Sequence, residues 1–160
     1  MSMNYSKTSA LRRVRTIADY QFGAGAGEAL FPDECEFGFS RTGRIRYVLI
    51  GGDRLATVRA GDGRLTLSFK GAHRLKAALN APILRVVIDE SVVEFVEKGK
   101  NAMAKHVTAA DAEIRAGDDV LVVTPADDLV ATGSAALSGE EMLAFNYGVA
   151  VNVRKGRDTS

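Results

Sequence analysis

Apolar residues in the second half of this chain come in short runs, each closed by glycine, proline, asparagine or aspartate. That punctuation allows short strands and single helices and leaves no room for a long one. LRVVI (84–88), KNAMAKHV (100–107), DVLVVT (119–124), LVATGSAAL (129–137) and VAVNV (149–153) read as strands, with Val149, Val151 and Val153 facing one way and Ala150 and Asn152 the other. PADD (125–128) and Asn146-Tyr147-Gly148 are turns. Ser91-Val92-Val93-Glu94 and Ser138-Gly139-Glu140-Glu141 have capping-box spacing, and each opens a short helix; Gly99 ends the first and Phe145 the second. Short strands broken by single helices predict a small barrel with helical interruptions.

The first half carries a different signal. Leu11, Val14, Ile17 and Ala18 recur at helical spacing between Ser9 and Gln21, which leaves Arg12, Arg13 and Arg15 to solvent; the first eight residues are polar and expected to fray. FGAGAG ends that helix. RIRYVLI (44–50) and RLTLSF (64–69) alternate, with Ile45, Tyr47, Leu49, Leu65, Leu67 and Phe69 on their apolar faces, and GGD (51–53) and GDG (61–63) have hairpin chemistry. A helix from Gly71 to Leu79 closes this half, and Asn80-Ala81-Pro82 marks a boundary, since proline disfavours helix in the residue before it.

Charge divides the same way. Residues 1–80 hold 13 Lys+Arg against 7 Asp+Glu, and residues 81–160 hold 8 against 13, although the whole chain is at +1. A basic half joined to an acidic one suggests two domains, the first of which meets an anion. No run of about 18 apolar residues is present, so no membrane span is expected. The N-terminus has no secretory h-region, which makes the cytoplasm the expected location.

Catalytic chemistry finds little to build on. Cys35 is the only cysteine and forms neither a disulfide nor a thiolate zinc site, and His73 and His106 fall in different halves without metal-site partners. Asp89/Glu90, Asp118/Asp119, Asp127/Asp128 and Glu140/Glu141 sit at turns or helix starts, where acids cap backbone N–H groups. Gly23-x-Gly25-x-Gly27 lacks the spacing and context of a phosphate loop and reads as a turn. No cofactor or metal is expected, and the chain is expected not to be an enzyme in its own right. The cationic residues are more telling: Arg41, Arg44 and Arg46 around one strand, and Lys98, Lys100 and Lys105 in a loop that a closed barrel would bring near Arg154, Lys155 and Arg157.

The stretch from VVEFVEKGKNAMAKHV through IRAGDDVLVV to ATGSAALSGEEMLAFNYGVAVNVRKG resembles the PUA domain of archaeal RNA-modifying enzymes. IADYQFGAGAGEALFP with SRTGRIRYV resembles the domain that precedes it in archaeosine tRNA-guanine transglycosylases. The resemblance runs over residues 11–156. It implies an α+β fold: a small N-terminal α+β domain (1–82), a PUA-type pseudo-β-barrel (83–156) and a mobile tail (157–160). The catalytic TIM barrel of that family has no counterpart in these residues, so what the resemblance carries over is tRNA binding. It implies RNA contacts at Lys98, Gly99, Lys100, Asn101, Ala102, Lys105, Arg154 and Lys155, with Arg41, Arg44 and Arg46 as further candidates. The expected partners are structured RNA, tRNA first, and a separate catalytic chain of a tRNA-modifying enzyme. The alternative is a protein-interaction adaptor that uses the acidic second half.

Overall fold

The structure is a computed structural model that describes the backbone of residues 3–159 and the side chains from Lys7 onward. The chain forms two compact units, Met1–Ala78 and Leu79–Ser160.

In the first unit, α1 (Met3–Phe22) is longer than the apolar stripe predicts: the expected fraying gives way to helix from Met3, while Met1 and Ser2 lie outside the described residues. Ala10, Val14, Ala18 and Phe22, each four apart, are buried, whereas Leu11 and Ile17 are only half-buried. Arg12 and Arg13 are exposed as expected. Arg15 is not free: its Nε donates to the Phe31 carbonyl at 2.8 Å, and its terminal nitrogen meets Asp33 at 3.0 Å. The glycine segment leads into α2 (Ala26–Leu30). Gly25 sits at φ 91°, and a Cβ on Gly27 would strike the Arg15 carbonyl, so helix packing requires glycine here.

Four antiparallel strands follow in the order β1 (Glu36–Phe39), β2 (Ile45–Ile50), β3 (Asp53–Val58) and β4 (Leu65–Leu67). The alternation read for β2 fails. Ile45 and Val48 are its buried residues, because Tyr47 pairs with Gly38 and Ile45 with Phe39, which leaves Arg46 as the extra residue of a β-bulge. Tyr47 instead lies under the Arg54 guanidinium, 4.5 Å from the ring centre. Phe69 is helical, not strand: α3 (Phe69–Ala78) starts where the Ser68 hydroxyl accepts from the Gly71 N–H at 3.0 Å.

Cys35 is buried, and burial pushes its thiol pKa up. A raised acid pKa makes the protonated form the folded one. Its contribution is whole below the thiol's unfolded pKa and fades as pH rises through the folded one. In native buffer at pH 8, Cys35 should react with a thiol reagent at least about 100-fold more slowly than in 6 M guanidinium, where unfolding restores an ordinary, solvated thiol. Equal rates would place the thiol at the surface.

The second unit is a six-stranded sheet, ordered β6 (Ala102–Met103), β10 (Val149–Gly156), β9 (Leu129–Ala135), β8 (Asp119–Val123), β5 (Arg85–Ile88) and β7 (Val107–Ala110). Among the described residues, β5 and β8 form the sheet's one parallel pair. The two edge strands, β6 and β7, are separated in the chain by a single 3-10 turn, Ala104–His106. Three residues span about 10 Å at most, so the sheet has to curl until its edges nearly meet. KNAMAKHV is therefore two strands on opposite edges, not one. Val86, Ile88, Val120, Val122, Val130, Val151 and Met142 fill the interior; each such side chain is worth roughly 1.5–3 kcal/mol over its exposed state. Ala150 also points inward beside Val151, because a register shift between Val149 and Val151 breaks the expected alternation.

Two helical segments interrupt the sheet. The Ser91–Glu94 capping box does not form. Asp89 is the cap of a 3-10 turn (Glu90–Val92), accepting from the Ser91 N–H at 2.9 Å, and α4 (Val93–Val96) continues from it. That backbone N–H holds the Asp89 carboxyl below the usual aspartate range. The Ser138–Glu141 box is complete in α5 (Gly139–Ala144), with both reciprocal bonds present. Ser138→Ala should cost about 1 kcal/mol, read as a lowered urea midpoint with unchanged slope. Residues expected as a mobile tail are instead tied down. Gly156 is buried, Arg157–Thr159 form a 3-10 turn, Arg157 pairs with Glu97, and the Asp158 N–H donates to the Glu97 carbonyl at 2.8 Å. Ser160 lies outside the described residues.

Candidate nucleic-acid interface

Antiparallel pairing of β6 with β10 sets the lysine-bearing segment 98–105 alongside the start and middle of β10. Beyond the end of β6, Asn101 Oδ1 accepts from the Val153 N–H at 2.9 Å and extends the ladder by one side-chain rung. Lys100 therefore lies next to the stretch of β10 that leads into Arg154 and Lys155. Lys98, Lys100, Lys105 and Lys155 are exposed, and among the described residues none has an acidic partner. They form a cationic rim on a unit whose overall charge is negative, which sets this rim apart from a generally basic surface.

The other candidates divide differently. Gly99 has φ 104°, as a helix-ending glycine should, but its N–H donates to the Val96 carbonyl at 2.9 Å, and that of Lys100 to Phe95 at 3.2 Å. Neither amide is available to a phosphate, which leaves only side chains on this loop to meet an anion. Ala102 is buried in the core. Arg154 is the bulged residue of β10: Val153 pairs with Gly133 and Lys155 with Thr132. The bulge turns its guanidinium onto Asp119, a bidentate pair at 2.8 and 2.9 Å with the carboxylate nearly buried. Arg154 is thus first a counter-ion. Asp119 lies within β8 and not at a turn, and Asp127 pairs with buried Arg85 at 3.2 Å.

Sequence reasoning missed the aromatic groups beside the lysines. Phe145 and Tyr147 stack with ring centres 5.9 Å apart and planes 5° from parallel, and Tyr147 is 71% exposed. The Gly148 carbonyl, next in the chain, accepts from the Ala104 N–H at 2.9 Å, so this aromatic step stands beside Lys105. A small cavity of about 260 Å³ opens nearby, with Phe95, Met103, Asn101 and His106 among its walls. His106, which the run KNAMAKHV predicts within a strand, is half-buried in the 3-10 turn. Two aromatics flanking Asn146 in a predicted turn were the available signal, because turns stay at the surface and cannot bury them.

In the first unit, Arg41 is exposed on the turn before β2, Arg44 is exposed, and Arg46 is half-buried at the bulge. Among the described residues, no group of three or more His, Cys, Asp or Glu could hold a metal ion, and no helix is long and apolar enough to cross a membrane.

Comparison with known proteins agrees with this architecture. Residues 12–82 match the patch-forming domain C2 of tRNA-guanine transglycosylase, and residues 84–157 match the PUA domain. The tRNA-guanine(15) transglycosylase of Pyrococcus abyssi is 50% identical over 151 residues, covering 94% of this chain and 26% of that protein. That of Thermoplasma acidophilum is 40% identical over 151 residues, 94% of this chain and 24% of that protein. The chain thus spans about a quarter of the length of these relatives. A hypothetical protein of Pyrococcus horikoshii shares the fold with TM-score 0.71 at 22% identity, covering 92% of this chain and 90% of that one. A conserved PUA domain protein of Thermoplasma acidophilum does so at TM-score 0.63 and 22% identity, covering 94% and 89%. The chain is a PUA-domain protein that corresponds, over nearly all its length, to the C-terminal C2 and PUA region of the archaeosine tRNA-guanine transglycosylases.

Proposed function

We propose that this protein binds folded RNA, tRNA first, and serves as the RNA-holding part of a tRNA-modifying enzyme whose chemistry is done by a catalytic region of the transglycosylase kind. The observation that carries the reading is the rim of exposed lysines (98, 100, 105 and 155) without acidic partners among the described residues, next to an aromatic step. The lysines neutralise phosphates, which supplies affinity without reading sequence. Phe145 and Tyr147 offer ring faces to unstacked bases at an RNA end or loop, and the cavity beside Asn101 and His106 has polar edges that suit a base. The relatives' names give tRNA as the RNA of choice. The chain's own residues bind and orient, and bond-making falls to the catalytic region.

The test is the affinity of the full chain for an unmodified tRNA transcript between 50 and 300 mM salt. Four lysine–phosphate contacts give a slope of log K against log salt of about −3. A chain with no salt-dependent affinity for tRNA that nevertheless co-purifies with a protein after nuclease treatment would be the adaptor of the alternative reading.

A further inference from the structure

The C-terminal residues, which composition marks as a mobile tail, close instead on the foot of the lysine loop. After Gly156 the chain turns back over the end of α4 and meets Glu97, the residue before Lys98. The Asp158 N–H donates to the Glu97 carbonyl at 2.8 Å, so a carbonyl that the helix end leaves open is satisfied from the tail. The Arg157 Nε donates to the Glu97 carboxylate at 3.1 Å, and a second guanidinium nitrogen reaches the same oxygen. That carboxylate keeps only 18% side-chain exposure, which sets the pair apart from a fully solvated one. The Thr159 hydroxyl accepts from the Gly156 N–H at 2.9 Å and donates to the Gly156 carbonyl at 3.0 Å, which locks the turn. A Cβ on Gly156 would strike the Glu97 carbonyl, so this close approach depends on glycine. The Thr159 methyl lies 3.8 Å from where a Cβ on Gly99 would stand, so the tail also covers the middle of the loop.

The geometry points to residues 156–159 as a strap that presets the lysine loop, with Glu97, Gly156, Arg157 and Thr159 as positioning residues that need touch no RNA themselves. Lys98, Gly99 and Lys100 are bracketed by two anchors. On one side the strap holds Glu97, and on the other Asn101 takes the Val153 N–H. Both anchors come from β10 and its extension. A loop ordered before its partner arrives meets its conformational cost during folding, and association then proceeds without that loss. The inference rests on the RNA-binding reading and deepens it, since it says why two flexible lysines keep one arrangement.

The experiment compares the full chain with a variant that ends at Gly156, using an unmodified tRNA transcript as ligand. The deletion removes one arginine and one aspartate, so the formal side-chain charge is unchanged. Affinity should fall about tenfold at every salt concentration while the slope of log K against log salt is kept, because the lysine contacts still form but the loop has to be ordered first. Amide exchange at Gly99 and Lys100 should accelerate at least about tenfold, with the protection of Val120–Val123 unchanged. Gly156→Ala moves no charge and should act in the same direction. Glu97→Ala separates geometry from electrostatics by sign. Loss of a negative charge beside two lysines would by itself tighten RNA binding, whereas loss of the strap's anchor should weaken it at least about threefold. Tighter binding in Glu97→Ala overturns the strap. So does Arg157→Ala if it flattens the slope by about 0.8, since Arg157 would then meet a phosphate itself. Unchanged affinity in the deletion, or exchange at Val120–Val123 accelerated as much as at the loop, also overturns the positioning role and leaves the proposed function standing. A wild-type chain indifferent to tRNA at every salt concentration overturns the proposed function, and the strap's part in it as well.

Discussion

Reversing Lys100 and Lys105 to glutamate should lower tRNA affinity about 100-fold at 0.1 M salt and leave the thermal midpoint of the protein within about 2 °C of wild type. Both side chains are exposed and have no acidic partner to lose among the described residues, so the folded state has little stake in them. On the proposed reading each would neutralise a phosphate, and one such contact is worth about tenfold at this ionic strength, because fewer counterions are released when it is missing. A glutamate in its place also adds repulsion. The salt slope should flatten by about 1.5 in parallel, which separates a lost contact from a general loss of active protein. Filter binding or fluorescence anisotropy across a salt series measures both quantities. An affinity within twofold of wild type at every salt concentration would remove the lysine rim from the binding surface.

Much of the fold could be read from residues alone, and the failures have identifiable causes. A barrel brings its first and last strands together, so segment 98–105 is expected beside residues 146–155, and β6 pairs with β10 there. Gly99 was correctly placed as a helix terminator. The same geometry uses up its N–H, which removes it as a phosphate donor. What period-two reading could not supply was the register. Bulges at Arg46 and Arg154 each insert one residue, and one residue is enough to move every later side chain to the other face. The buried residues of β2 are Ile45 and Val48 for this reason, three apart rather than two or four. Bulges depend on cross-strand pairing, which a single sequence does not display. The Asp89 cap was hidden by a nearby decoy: Ser91 and Glu94 have the spacing of a box, but Asp89 reaches the Ser91 N–H first. The acid pairs were read as caps throughout because burial is invisible in sequence; only coordinates show Asp119 enclosed and in need of a cation.

Arg154→Ala should destabilise the second unit by about 3 kcal/mol, more than any single lysine change on its rim, for a reason unconnected with RNA. The Asp119 carboxylate retains 5% side-chain exposure and sits on β8 across β9 from β10, with both oxygens engaged by the Arg154 guanidinium. Removing the arginine leaves that charge enclosed, and an enclosed charge without a partner costs several kcal/mol. The converse change is milder. Arg154 keeps 31% exposure, so in Asp119→Ala its guanidinium can turn into water, and a loss of about 1–2 kcal/mol is expected. The double variant Asp119→Ala/Arg154→Ala should therefore be more stable than Arg154→Ala alone, since the stranded charge is gone, and the cycle should show a coupling of about 1.5 kcal/mol or more. Hydrogen exchange of the Val120–Val123 amides, which lie on the strand that carries Asp119, measures each corner of the cycle within this unit. Additive losses would mean that the pair is a surface contact and that Arg154 is as free as its neighbour Lys155 to meet a phosphate. Coupled losses identify Arg154 as the clamp that fixes β10, whose fixed position in turn holds Asn101 and the lysine loop where RNA would meet them.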